Sequence, residues 1–191
     1  MRLDLVVGPN GAGKSTFVNL TLAEALPAGT PFVNADIIAA SRWPDAAEEH
    51  SYEAAQVAAQ TRAALIARGE PLIAETVFSH PSKLELVREA HRCGYYVALH
   101  VLLVPMELSI ARVAERVRQG GHSVPEDKVR SRYERLWPLV AQAVALCDIA
   151  TVYDNSHYNG PRLAAKYQSG LLVGTTHWPI WTPSVLVDLT Q

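Results

Sequence analysis

Eight consecutive residues near the start of the chain, Gly8-Pro9-Asn10-Gly11-Ala12-Gly13-Lys14-Ser15, have the types and spacing needed to hold a chain of phosphates. The glycines let the backbone curl tightly and turn its N–H groups toward phosphate oxygens. Lys14 is long enough to reach β- and γ-phosphates, and the Ser15 hydroxyl is of the kind that ligates Mg²⁺, with Thr16 beside it. A glycine-rich turn joining a strand to a helix would explain the glycines alone. It leaves the lysine and the serine without a reason, so ATP with Mg²⁺ is the expected ligand.

Two carboxylates stand where such a site would need them. Asp36 follows Phe32-Val33-Asn34-Ala35, and Glu75 ends Pro71-Leu72-Ile73-Ala74. In an open parallel sheet the carboxyl ends of strands face the ligand crevice. There Asp36 can orient an acceptor hydroxyl and take its proton, its plainer alternative being an N-cap for a helical turn over 37–40. Glu75 can bind Mg²⁺ through water or hold a substrate, its alternative being a strand-end charge. Thr76 and Ser79 are substrate contacts or caps for the next helix.

A basic segment follows: Arg112, Arg116 and Arg118, then Gln119-Gly120-Gly121-His122-Ser123-Val124-Pro125, then Lys128, Arg130, Arg132 and Arg135. Two helices meeting at a Gly-Gly joint, both carrying arginines near it, suit a lid over about 112–135 that closes on a transferring phosphoryl group. A solvated charged hairpin paired with Glu115, Glu126 and Glu134 is the alternative. His122 is a phosphate or substrate contact or a plain turn residue. Asn155, after the last core strand, is a contact to a nucleotide base or a plain polar turn residue.

The elements that must position these residues alternate. Apolar runs at 3–7, 31–34, 71–75, 95–104 and 148–153 read as strands, and 14–26, 46–68, 81–93, 106–118 and 125–146 read as helices. That alternation predicts an α/β fold, a parallel sheet flanked by helices. Beyond 156 a C-terminal extension offers a short hairpin over 162–168 and 171–175, and its tryptophans suit an edge-covering role. The 191 residues fit a single domain, 1–191. With 17 basic and 19 acidic side chains the net charge is −2, which argues against a general nucleic-acid binder. Cys93 and Cys147 have no metal spacing and read as free thiols. No apolar run is long enough to span a membrane, no leader is visible, and the cytoplasm is the expected location.

Taken together, these pieces resemble the zeta-toxin family of P-loop kinases. The matching residues are the phosphate loop with Thr16, Asn34-Ala35-Asp36, Glu75-Thr76, and Gly120-Gly121-His122-Ser123-Val124-Pro125 followed by Arg132-Tyr133-Glu134-Arg135. The resemblance implies a fold similar to nucleoside-monophosphate kinases, with five parallel strands in the order 2-3-1-4-5. It also implies a general base at Asp36, a substrate- or metal-side role for Glu75, and phosphate-neutralising lid arginines, foremost Arg116. Toxins of the family phosphorylate the 3′-hydroxyl of the sugar in UDP-N-acetylglucosamine and are neutralised by an antitoxin protein. Where they carry a second lid arginine this chain has His122, leaving Arg118 or Arg132 to supply the charge. The chain is also shorter than the plasmid toxins. Two other readings stay open: a kinase for nucleic-acid ends or tRNA, and a nucleotide-dependent switch that transfers nothing.

Overall fold

The computed structural model describes residues 1–121 and 124–190. The first apolar run becomes β1 (Arg2–Val7), flanked by β3 (Leu72–Thr76) and β4 (Tyr96–Leu103) and parallel to both. Outside them lie β2 (Phe32–Val33), parallel to β3, and β5 (Ile149–Asp154), parallel to β4. The 2-3-1-4-5 order thus holds for the parallel part. The expected hairpin forms as β6 (Arg162–Gln168) and β7 (Leu171–Leu172), and it extends the same sheet antiparallel from β5. Its two turn residues, Ser169 (φ 48°) and Gly170 (φ 78°), both take the positive φ that matches the twist of paired strands.

The helical segment behind the phosphate loop is not the single α-helix expected over 14–26. It runs as α1 (Lys14–Phe17), a π-helical turn (Val18–Leu22) and α2 (Ala23–Ala25). The widened turn seats Val18 and Leu22 on the sheet with Phe17, and nothing in the apolar spacing signals it. After β2 the expected turn over 37–40 is a full helix, α3 (Ala35–Arg42). Next, α4 (Ser51–Ala67) starts five residues later than the expected 46, because Trp43 stacks on His50 at 4.7 Å and the segment between folds into turns. The remaining helices are α5 (Ser82–Arg92), α6 (Met106–Arg118), α7 (Glu126–Leu146) and the short α8 (Ser184–Val187).

Alternation along β1 divides the core. Leu3, Leu5 and Val7 face the larger cluster with residues of α4, α5 and α7, and Trp178 and Trp181 of the tail pack against its edge. Val6 faces the smaller cluster with Phe17, Val18, Leu22 and Leu102. Each fully buried Leu contributes about 1.5–3 kcal/mol, so both faces hold β1, and with it the loop that follows, in place. Cys93 and Cys147 are free thiols; burial pushes Cys147 up to about 12, which leaves it unreactive. Among the described residues no helix is long and apolar enough to cross a membrane.

One polar cluster interrupts the smaller core. Asp4 is buried on the Val6 face, accepting from Arg2 Nε and Nη2 at 2.7 and 2.8 Å, and its Oδ1 lies 2.9 Å from His100 Nε2. Burial alone would raise the Asp4 carboxyl; the hydrogen bonds from His100 and Arg2 outweigh it and leave the net shift downward. A carboxyl held below its unfolded value stabilises the fold fully above the unfolded pKa of about 3.9, and the gain disappears as pH falls through the folded value. Acid unfolding should therefore set in at higher pH for the wild type than the residue's folded pKa alone suggests, and Asp4→Asn should flatten the acid limb of a stability–pH curve. An acid limb of unchanged slope in that variant would remove Asp4 from the account.

Candidate active site

The phosphate loop leaves the C-terminal end of β1 and is wedged against three neighbours. A Cβ on Gly11 (φ 71°) would lie 2.7 Å from the Ser109 carbonyl oxygen, and one on Gly13 (φ 82°) would lie 2.8 Å from Asn155 Nδ2. Glycine is required at both by conformation and by space. Ser109 Oγ donates to the Asn10 carbonyl at 2.5 Å, and Asn155 Nδ2 donates to the Ala12 carbonyl at 2.7 Å. Arg112 Nη1 in turn donates to the Asn155 carbonyl at 3.0 Å. The Asn155 amide nitrogen thus holds the loop's backbone.

Lys14 opens α1, buried at the floor of a cleft, with Nζ donating to the Pro9 carbonyl at 2.9 Å and lying 3.9 Å from Glu75 Oε1. Burial pushes its ammonium pKa down; Glu75 and Asp36 pull it back up, and Arg116 and Arg132 add to the lowering. Those four charges converge on one point from β3, α3, α6 and α7, which is why no single stretch of sequence contains the site. Ser15 Oγ donates to Glu75 Oε2 at 2.8 Å, and Asn34 Nδ2 donates to the same oxygen at 2.6 Å.

Asn34 has a second task. Its Oδ1 accepts from the backbone N–H groups of Asp36 (2.7 Å) and Ile37 (3.3 Å), so it is the N-cap of α3. The capping considered for Asp36 is done by Asn34, and Asp36 is left in the first turn with its exposed side chain on the cleft. Asn34→Ala removes the cap and a hydrogen bond to a charged group, so an unfolding free energy lower by about 1–3 kcal/mol is expected in urea titration at unchanged slope. A loss below a few tenths would show the cap to be dispensable.

A cleft of about 720 Å³ joins these groups; Lys14, Ser15, Asp36, Glu75, Arg116 and Arg132 line it, and Thr76 and Ser79 lie on the same wall. Between those two, Phe78 is fully buried at φ 64°, a backbone region costly for an aromatic residue, with its N–H 3.4 Å from Thr76 Oγ1. A second groove of about 420 Å³ adjoins the loop on its other side, lined by Thr16, Phe17, Leu20, Asn155 and Tyr158, with Arg112 shared between the two.

The glycine joint has a defined geometry. Gly120 N–H donates to the Val117 carbonyl at 3.0 Å and Gly121 N–H to the Arg116 carbonyl at 2.8 Å, with Gly120 at φ 81°. This is the left-handed stop that closes α6. The pair therefore fixes the end of the helix that carries Arg112 and Arg116. Arg118 stands apart from the cleft, exposed and paired with Glu115 at 2.7 Å. His122 lies outside the described residues.

Residues 3–139 match the family of the AAA domain. The chain belongs to that AAA-domain family. It is 35% identical over 60 residues to an uncharacterized protein of Haemophilus influenzae, a stretch covering 31% of this chain and 43% of that one. In fold it is similar to a chain of the AvrRxo1-ORF1:-ORF2 complex solved with ATP, at a TM-score of 0.69 and 17% identity over 90% of this chain and 60% of that one. It is also similar to a chain of the PezAT chromosomal toxin–antitoxin system of Streptococcus pneumoniae, at a TM-score of 0.63 and 13% identity over 98% and 83% of the two chains. This AAA-domain chain thus spans less than two thirds of the Haemophilus protein and of the AvrRxo1 chain. At these identities the structural likenesses speak for the fold. The AAA-domain chain carries its phosphate loop on a fold similar to that of a chain from a toxin–antitoxin system.

Several AAA-domain site residues were not singled out by sequence reasoning. Asn34 entered only as part of a motif, with no role of its own; it is a residue of the cap-forming type directly before the helix, and the capping rule could have given it that role. Ser109 and the buried Arg62 of α4 carry no such signal, because their importance lies in what tertiary packing brings next to them.

Proposed function

We propose that the chain is an ATP- and Mg²⁺-dependent phosphotransferase acting on a hydroxyl group of a small molecule. The observation that carries this is the convergence of Asp36, Glu75, Arg116 and Arg132 on Lys14 in one open cleft. A module that only bound nucleotide would need the loop and Lys14 but no exposed carboxylate beside them.

The loop N–H groups and Lys14 hold the β- and γ-phosphates, and the second groove, with Phe17, Leu20 and Tyr158, takes the base. Ser15 Oγ and the Glu75 carboxylate are adjacent hard oxygen donors of the kind Mg²⁺ accepts while keeping water and phosphate oxygens as its other ligands. Mg²⁺ held there would supply charge neutralisation on the phosphates. Asp36 orients the acceptor hydroxyl and takes its proton as the oxygen attacks the γ-phosphorus and ADP leaves. Arg116 and Arg132 balance negative charge on the equatorial oxygens in transit.

The zeta-toxin resemblance names the acceptor to try first, UDP-N-acetylglucosamine, and the fold shared with the PezAT chain supports an antitoxin-like protein that occludes the cleft. Purified protein should convert ATP and UDP-N-acetylglucosamine, with Mg²⁺, into ADP and a phosphorylated sugar nucleotide detectable by mass spectrometry. ATP bound with no phosphorylated product from that acceptor or from a metabolite pool would overturn the transferase reading in favour of a switch.

A further inference from the structure

The cleft contains a second set of cations, separate from the set around Lys14. Arg62, in the middle of α4, is 5% exposed and lines the cleft. Among the described residues its guanidinium makes no hydrogen bond and no ion pair, and burial pushes its pKa down without a carboxylate to oppose it. Lys83 lines the same wall from the first turn of α5. It too has no acidic partner, and its pKa is lowered by burial and then by Arg62. Glu48, the one carboxylate besides Asp36 and Glu75 among the described lining residues, is exposed and forms no ion pair with either cation. Arg62 and Lys83 reach the cleft from α4 and α5, whereas Arg116 and Arg132 reach it from α6 and α7, so the two pairs of cations line it from different helices.

This arrangement costs the unliganded protein stability three times over. A guanidinium is desolvated without a counter-ion. A second cation sits beside it. That second cation occupies a helix N-terminus, where the backbone dipole already presents positive charge. A cluster with that cost and an opening to a cleft is matched to an anion that arrives from outside.

We propose that Arg62 and Lys83 form an oxyanion pocket for the phosphoryl acceptor, so that the acceptor carries a phosphate or carboxylate group remote from the hydroxyl that is phosphorylated. This rests on the kinase reading for its purpose, but the pocket can be tested without turnover. Guanidinium and ammonium together suit a tetrahedral or planar oxyanion, the first giving paired N–H donors and the second a mobile point charge.

The test titrates the full chain, its phosphate loop filled with Mg²⁺ and a non-hydrolysable ATP analogue, with inorganic phosphate in one arm and succinate in the other, by calorimetry. Binding in either arm, weakened at least tenfold in both Arg62→Met and Lys83→Met, is the expected result; the arm that binds more tightly tells a phosphate-bearing acceptor from a carboxylate-bearing one. The thermal midpoint of unliganded Arg62→Met should equal or exceed that of the wild type, since the substitution removes a buried unpaired charge. No binding in either wild-type arm, or undiminished anion affinity in both variants, would overturn the pocket. A variant midpoint several degrees lower with anion affinity unchanged would show Arg62 to be structural and overturn it equally. Should the filled-loop protein bind anion through these residues yet transfer no phosphoryl group, the kinase reading fails and the pocket stands.

Discussion

Asp36→Ala is expected to lower phosphotransfer turnover by about 10²–10⁴-fold while leaving nucleotide affinity intact, the range for loss of a positioned general base. The split follows from where the carboxylate sits. Asn34 takes over the capping of α3, so removing the Asp36 side chain takes no hydrogen bond from the helix terminus. Its negative charge faces Lys14, and deleting it makes the loop more attractive to phosphates, not less. Steady-state turnover with the best acceptor, set beside the dissociation constant of an ATP analogue from calorimetry, gives both numbers. Parallel losses in turnover and affinity would reassign Asp36 from the chemical step to nucleotide binding. Because only interactions specific to the transition state raise turnover, an intact dissociation constant is the part of the result that carries the assignment.

Lys14→Met should part from Asp36→Ala on nucleotide affinity. The ammonium is buried and already burdened by desolvation, with Glu75 at 3.9 Å and the Pro9 carbonyl at 2.9 Å as partial compensation. Replacing it by an apolar chain of similar length should leave the unliganded protein's thermal midpoint unchanged or raised, since a well-packed apolar group often substitutes for a buried charge without loss. Nucleotide affinity should fall by about ten- to a hundredfold, corresponding to about 1.5–3 kcal/mol for hydrogen bonds to a charged group. Turnover should fall as well, because the same ammonium would follow the γ-phosphoryl through transfer. Unchanged nucleotide affinity in a folded variant would remove the loop from the nucleotide site.

The two variants together also test the wiring of the site. Ser15 and Asn34 both donate to Glu75 Oε2, so Glu75 stays fixed in either variant. Asp36 and Lys14 act on one another through charge alone, and a double variant should show coupling in nucleotide affinity and in stability alike.

How much of this was legible in the sequence depends on the range of the interaction concerned. The parallel strands were legible because burial on both faces forces continuous apolar runs. The phosphate loop was legible because its glycines, lysine and serine act within eight consecutive residues. Asp36 and Glu75 could be placed because strand ends in such a sheet share an edge, a rule of topology that needs no contacts. The C-terminal hairpin was readable from Ser169-Gly170, though its merger with the main sheet was not, since strand neighbours are chosen by edges that the sequence does not display. Local structure misled where a distant partner decided it. The π-helical turn at Val18–Leu22 answers to the packing of Phe17, Val18 and Leu22 on the sheet, and the late start of α4 answers to a Trp43–His50 stack. The glycine pair forms a helix stop that the sequence did not specify, because both glycine N–H groups find carbonyls of α6.

By itself, then, the sequence determined that this chain holds a phosphate-binding loop at the carboxyl end of a parallel sheet with two carboxylates nearby, because those features depend on neighbours in the chain and on pleat and handedness. Only the tertiary structure decided which arginines face the loop, that Asn34 serves Glu75 and α3 at once, and that Arg62 is buried without a counter-ion. Those are facts of convergence among α3, α4, α6, α7 and β3, and a charge acquires its role there from what packing places, or fails to place, beside it.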